Sequence, residues 1–458
     1  MFLGLAVLTA KPEGEKAMKK ILFGNEARQK IKEGIDKCVD VVKVSLGGQG
    51  KNVLIYNGTA TEIINDGVSI AREVNVKDEV EQAGIQLAKQ CANQTNEDAG
   101  DGTTTTLVLL QSILNEIIKE IQTENPRELR DRLFKEANEV LSNVEVKQIT
   151  GKQDVYNLAL TSSLNEDMAK IISEIYDELG KEAQISIEET SRNVIEKEII
   201  GGIKFESKKA ELKFLRDDRK IILDNCKVLV KDKVDSFKDI ENEVVGTIKK
   251  RIKSMVVVAN SFSNNAILSI TKIDNFRIIP IEYTMINPIE DIETYVGETV
   301  DRVVVEKNFT TLIGGKGDVS ELVKTLEARL KEEESVYEKE QLENRIAKLK
   351  GKVAVIKIGR NTDVERNEAV LKLEDALGTV KGAYEMGYCK GGGLALKELG
   401  YRFNVYDQIC ENAGSEGMII GNEIIDSFKT VKFSLLNAIS TATSILMVES
   451  ALIEIDED

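Results

Sequence analysis

Histidine is absent from this chain of 458 residues. Imidazole general-base catalysis, histidine metal sites and the usual Ser-His-Asp arrangement are therefore excluded. Any acid–base chemistry falls to carboxylates, lysines or tyrosines. Cys38, Cys91, Cys226, Cys389 and Cys410 are scattered without a CxxC pair, so neither a zinc site nor a disulfide framework is indicated, and reduced thiols in a cytoplasm are expected. No apolar run approaches the roughly 18 residues of a membrane helix. The apolar stretch Phe2 to Leu8 has no basic segment before it, as a signal peptide would, and Met18 is an alternative start. Aromatics are only 5% and prolines four. The net charge of -16 argues against nucleic acid or an anionic membrane surface as the main partner. A length of 458 residues predicts two to four domains.

The first third reads as helices with short strands. Ile31, Ile35, Cys38, Val39 and Val42 recur at helical spacing, and Gly47, Gly48 and Gly50 then stop the helix. "NVLIYN" and "ATEIINDG" predict two short strands. Long helices are expected over about 76–96, from the threonine run through "LVLLQSILNEIIKEI", and over 434–453 near the end. From about Val194 the texture becomes β-branched runs alternating with helical stretches at 239–253 and 264–273, predicting an α/β unit with a mostly buried sheet. A charged pair of helices follows, with Val319, Leu322, Val323, Leu326 and Leu330 as its apolar stripe. The helical ends thus enclose a central α/β insertion.

Three glycine-rich turns open helices: "SLGGQGKN" (Ser45 to Asn52), "GDGTTTT" (Gly100 to Thr106) and "KGGGLAL" (Lys390 to Leu396). Free N–H groups and the helix dipole make such turns natural phosphate sites, although none matches the GxxxxGK[ST] pattern. Asp101 lies inside one of these anion-favouring turns, where a bare carboxylate would repel phosphate. A magnesium ion bridging the two resolves that conflict, with the threonine hydroxyls as further ligands. An N-cap aspartate before a threonine-rich helix is the plainer alternative. Asp66 in "INDGVS" and Asp375 in "LEDAL" read locally as a turn acid and a solvated helix acid.

Together, "KKILFGNEAR", "VKVSLGGQGKNVLI", "INDGVSIARE", "EDAGDGTTTTLVLLQSIL", "ENRIAKLKGKVAVIKIG", "LEDALGTVKGAYEMG" and "GGGLAL" resemble a group I chaperonin of the GroEL type over about half the chain. The resemblance implies an α/β multidomain, chaperonin-like fold: a helical equatorial ATP-binding domain (1–146 and 387–458), a small intermediate domain (147–202 and 353–386) and an inserted α/β apical domain (203–352). Gly202, Gly351 and Gly387 resemble its hinge glycines. It implies Mg-ATP as the cofactor, held by Ser45, Leu46, Gly47, Gly48, Gly102, Thr103, Thr104 and Thr105, with Asp101 as the magnesium ligand. Gly392 resembles the glycine beneath the nucleoside and Asp426 the ribose contact. Asp66 and Asp375 resemble the carboxylates that activate the attacking water, Asp375 arriving when the intermediate domain closes. The implied partners are unfolded proteins, other copies in a heptameric single or double ring, and a GroES-type co-chaperonin. Ile240, Val244, Val245, Ile267 and Leu268 would line the substrate groove.

Departures from the family are also visible. Gly48 replaces a usual proline, Asn65 a usual lysine, and the stretch before Asp426 is short and without an "NAA"-type adenine contact. The groove segments carry Asn242, Thr271 and Lys272, the strand segment "GGIKFESKKAELKFL" has lysines where aromatics are common, and the Gly-Gly-Met tail is missing. A passive ring with a weakened ATP site is the alternative reading. A small-molecule kinase would need a second substrate pocket, for which no motif appears.

Overall fold

A computed structural model describes residues 19–454, apart from 57, 59–60, 122–123, 182, 211–219, 274–275, 285–288, 334 and 415–423. The alternative start at Met18, the apolar opening, the chain's tail, part of the lysine-bearing strand segment and residues 415–423 of the shortened stretch before Asp426 lie outside the described residues. The chain divides into two compact units, Met1–Glu174 with Arg360–Asp458, and Ile175–Gly359.

The first unit is helical. Helix Gly24–Val42 packs on Glu79–Ala99, and the helices Thr103–Glu120, Pro126–Ser142 and Phe428–Leu446 complete the bundle. Its core includes Ile35, Leu107, Leu110, Ile113, Leu114, Leu129, Leu133, Leu435 and Ile439, all fully buried. Each such side chain contributes about 1.5–3 kcal/mol relative to exposure. Local signals set the helix starts. Asp78 accepts from the N–H groups of Val80 and Glu81, and Asn125 from Arg127 beside Pro126 at the first helical position.

The last helix departs from the expectation of 434–453. It spans Phe428–Leu446, and the chain then turns into the strand Ser450–Glu454, antiparallel to Lys19–Phe23. Helical spacing continues past Leu446, but an open strand at the other end of the chain offers backbone partners that a lengthened helix would forgo.

In the second unit the strand Ile195–Lys209 organises an eight-stranded sheet. It pairs in succession with Lys352–Ile358, Phe309–Ile313 and Arg277–Tyr283. Phe309–Ile313 also pairs with Thr299–Val305, so the pairing closes into a ring of six strands, while Gln184–Glu189 extends it beyond Lys352–Ile358. Ile221–Val234, Ser254–Phe262 and Arg277–Tyr283 run parallel, which requires crossovers. The helices Glu241–Lys249 and Asn264–Thr271 supply them. The charged helices Ser320–Glu332 and Val336–Leu349 pack on each other, and Val323 and Leu326 enter the core.

Candidate functional site

Helix Gly24–Val42 runs into a tight turn at Lys43–Ser45 and then into Leu46, Gly47 and Gly48. Gly47 has φ +85°, and a Cβ there would lie 2.9 Å from Ile409 Cγ2. A side chain is thus barred both by conformation and by space. The Asn412 amide pins the turn by donating to the carbonyls of Lys43 at 2.8 Å and Leu46 at 2.9 Å.

The "GDGTTTT" stretch joins two helices end to start. Gly100 closes Glu79–Ala99 in the left-handed conformation, and Gly102, also left-handed, opens Thr103–Glu120. Between them the Asp101 carboxylate accepts from the Gly102 N–H at 2.5 Å, Ser162 Oγ at 3.0 Å and Thr379 Oγ1 at 2.5 Å. Burial and the charge of Asp66 still raise its proton affinity. The four threonines differ in task. Thr106 is fully buried, its hydroxyl 2.9 Å from both Thr95 Oγ1 and the Gly102 carbonyl, so it locks the turn. Thr103, Thr104 and Thr105 line a cavity of about 490 Å³ at the helix N-terminus.

Every residue assigned to the nucleotide site from sequence lines this one cavity: Ser45, Leu46, Gly47, Gly48, Asp66, Asp101, Gly102, Thr103, Thr104, Thr105, Asp375, Gly392 and Asp426. Asp66 caps the helix Gly67–Glu73 through the N–H groups of Val68 and Ser69. Asp426 sits on the short strand Ile425–Ser427 and accepts from the Gly392 N–H at 3.0 Å. Burial, reinforced by Asp101, pushes its carboxyl up to about 7.

The helix Asp363–Met386 presents a polar stripe to the same cavity: Glu368, Lys372, Asp375 and Thr379. Steps of four, three and four residues keep a side chain on one helix face. Burial pushes the Asp375 carboxyl well above the usual carboxylate range, with the charges of Asp101, Asp66 and Glu374 adding to it. No hydrogen bond among the described residues engages that carboxylate.

Sequence reasoning missed Ser162 and Thr379, which orient Asp101, and Asn412, which pins the first glycine turn. It also missed Lys372, and Ser427 and Thr430, whose buried hydroxyls have no partner among the described residues and line the cavity. The four-three-four polar stripe was the available signal for Lys372 and Thr379. The proposed groove needs correction. Ile240, Val244 and Ile267 are buried, the first two packing under the sheet and Ile267 against Ala210. Val245 and Leu268 are exposed, and Ile248, not expected, joins them. Helices lying on a sheet turn the residues at i and i+4 inward, which removes that stripe from any outer surface.

The cavity fits a magnesium–phosphate ligand by its donors. No three described His, Cys, Asp or Glu side chains stand close enough to hold a metal ion by themselves. Acids crowd the cavity beside glycine turns and a helix N-terminus, which suits a cation that draws most of its ligands from phosphate and water.

The sequence pattern of the TCP-1/cpn60 chaperonin family matches residues 39–408. The chain belongs to this family. Its fold agrees: the crystal structure of the chaperonin gp146 from the bacteriophage EL 2 (Pseudomonas aeruginosa), in presence of ATP-BeFx, matches with a TM-score of 0.68 in crystal form II and 0.61 in crystal form I. In both, the match covers 96% of this chain and 99% of that one at 19% identity. This chaperonin therefore keeps the family's α/β architecture at low sequence identity.

Proposed function

We propose that this chaperonin is an ATP-hydrolysing subunit that assembles into rings, heptameric by family resemblance, and binds non-native protein chains. The observation that carries the reading is the meeting of Asp375 with Asp66 and Asp101 in a cavity walled by two glycine turns and a threonine-rich helix start. The turns and the helix N-terminus hold phosphate through backbone N–H groups. Asp101, oriented by Ser162 and Thr379, would hold magnesium, which when bound neutralises phosphate charge. Asp66 is fixed by its capping bonds and orients water. Asp375, with high proton affinity and no hydrogen-bond partner among the described residues, takes the proton of the attacking water. Ser427 and Thr430, whose hydroxyls have no partner among the described residues, offer them to the nucleoside side.

Ring assembly is supported by two small sheets in the helical unit whose apolar side chains face solvent. Ile21, Phe23 and Leu452 are exposed on one, and Leu54, Tyr56 and Ile63 on the other. Two distinct exposed apolar patches suit a head-to-tail contact, the kind that closes into a ring. Val245, Ile248 and Leu268 supply an apolar surface for a client chain or for a GroES-type lid. The five cysteines are unpaired, as a reducing cytoplasm would keep them.

The test is steady-state ATP hydrolysis by the full chain beside Asp375→Ala. Turnover in the parent, and its loss in a variant that still binds ATP, is expected. Intact rings without turnover in the parent would leave a passive, holding ring as the function.

A further inference from the structure

Five acids line the cavity: Asp66, Asp101, Glu368, Asp375 and Asp426. Among the described residues that line it, Lys372 is the only lysine or arginine. Its ammonium lies 2.9 Å from Glu368, one turn back on the same helix, and the two side chains are 31% and 25% exposed. A single half-buried ion pair between neighbours on one helix stabilises little, and its lysine can exchange one anion for another. One turn in the other direction lies Asp375, and a helical turn rises about 5.4 Å, within reach of a lysine's flexible stem.

We propose that Lys372 is the side chain that meets the terminal phosphate, and that Glu368 holds it aside until that phosphate arrives; this rests on reading the cavity as an ATP site. The stripe then works in order. Thr379 holds Asp101, Asp375 faces the water, and Lys372 covers the phosphate that the water attacks. On phosphate release Lys372 returns to Glu368. A triphosphate and a diphosphate thus differ in whether the Glu368–Lys372 pair is open.

The experiment measures ATP and ADP dissociation constants and steady-state turnover, with magnesium, for the full chain and for Lys372→Met, Lys372→Arg, Glu368→Gln and the Glu368→Gln/Lys372→Met double variant. Losing one charge-assisted contact should weaken ATP binding by about 10- to 100-fold, with ADP affinity changed by less than about 3-fold. Lys372→Arg should retain most of the ATP affinity. Glu368→Gln should tighten ATP in the parent and leave the Lys372→Met background unchanged. Parental ATP affinity and turnover in Lys372→Met would overturn the proposal. So would equal losses for ATP and ADP, or tightening by Glu368→Gln in both backgrounds. A parent that binds neither nucleotide would instead overturn the ATP reading itself, and the proposal with it.

Discussion

Gly100 and Gly378 meet backbone to backbone: a Cβ on Gly378 would lie 2.3 Å from the Gly100 carbonyl oxygen, and one on Gly100 would lie 2.9 Å from Gly378 Cα. This contact lets the helix Asp363–Met386 approach closely enough for Thr379 to reach Asp101. Alanine would favour an exposed helix by about 1 kcal/mol over glycine. Here the clash is with backbone, which cannot turn away. Gly378→Ala should destabilise the chain by about 1–3 kcal/mol in chemical unfolding and weaken nucleotide binding. An increase in stability would show that the helix does not press on the Asp101 turn.

The surroundings of Asp375 disfavour its charged form, first through burial and then through the charges of Asp101, Asp66 and Glu374. Asp375→Asn should therefore lower ATP turnover by about 10²- to 10⁴-fold while raising the midpoint of thermal unfolding in the absence of nucleotide. The two readouts move in opposite directions, which a merely damaged fold would not produce. Calorimetry beside a turnover assay decides it.

The Asp426 carboxyl rises from its ordinary 3.8 to about 7 in the folded chain. Between those values the folded state keeps a proton that the unfolded state has released, so stability falls as pH rises from about 4 to 7 and levels off above. One carboxyl contributes at most about 1.4 kcal/mol per pH unit to that slope. Asp426→Asn should flatten the profile within this window. An unchanged slope would mean that Asp426 is ionised throughout.

Asn412 makes two hydrogen bonds that hold the first glycine turn. Asn412→Ala removes both, a loss of about 1–3 kcal/mol. Hydrogen exchange should speed up at residues 43–48 before it does elsewhere in the helical unit. Uniform acceleration would assign Asn412 to global stability instead.

Phe23 and Tyr56 are each 68% exposed, so polar replacements should leave the fold intact. Phe23→Glu and Tyr56→Glu should each abolish rings in sedimentation velocity. If the contact is head to tail, mixing the two variants restores dimers but no closed ring. Rings from either single variant would rule out that patch.

Much of the cavity's lining was legible because its parts are local. A glycine turn, a capping acid and a threonine run each declare themselves within a few residues, and Asp66 and Asp375 gained meaning only through the family resemblance. Of the five residues expected to line a groove, Val245 and Leu268 are exposed and the other three are buried. The apolar spacing of Ile240 and Val244 marks the face of an amphipathic helix, and that is the face the sheet buries. Lys372 looked like any solvated helix lysine, because the four-three-four stripe marks a shared helix face but not that this face borders a cavity. The strand Ser450–Glu454 was missed since its partner lies at the far end of the chain.

That last pairing bears on the order in which the protein is made. Phe23 meets Ser450 across nearly the whole chain, so the helical unit stays unfinished until its closing strand has left the ribosome. Ile175–Gly359 is continuous and emerges complete well before then. Domains fold as units during synthesis. The sheet-bearing unit can therefore be in place while the cavity still waits for Gly392 and Asp426, so a nascent chain would complete that cavity only after the sheet.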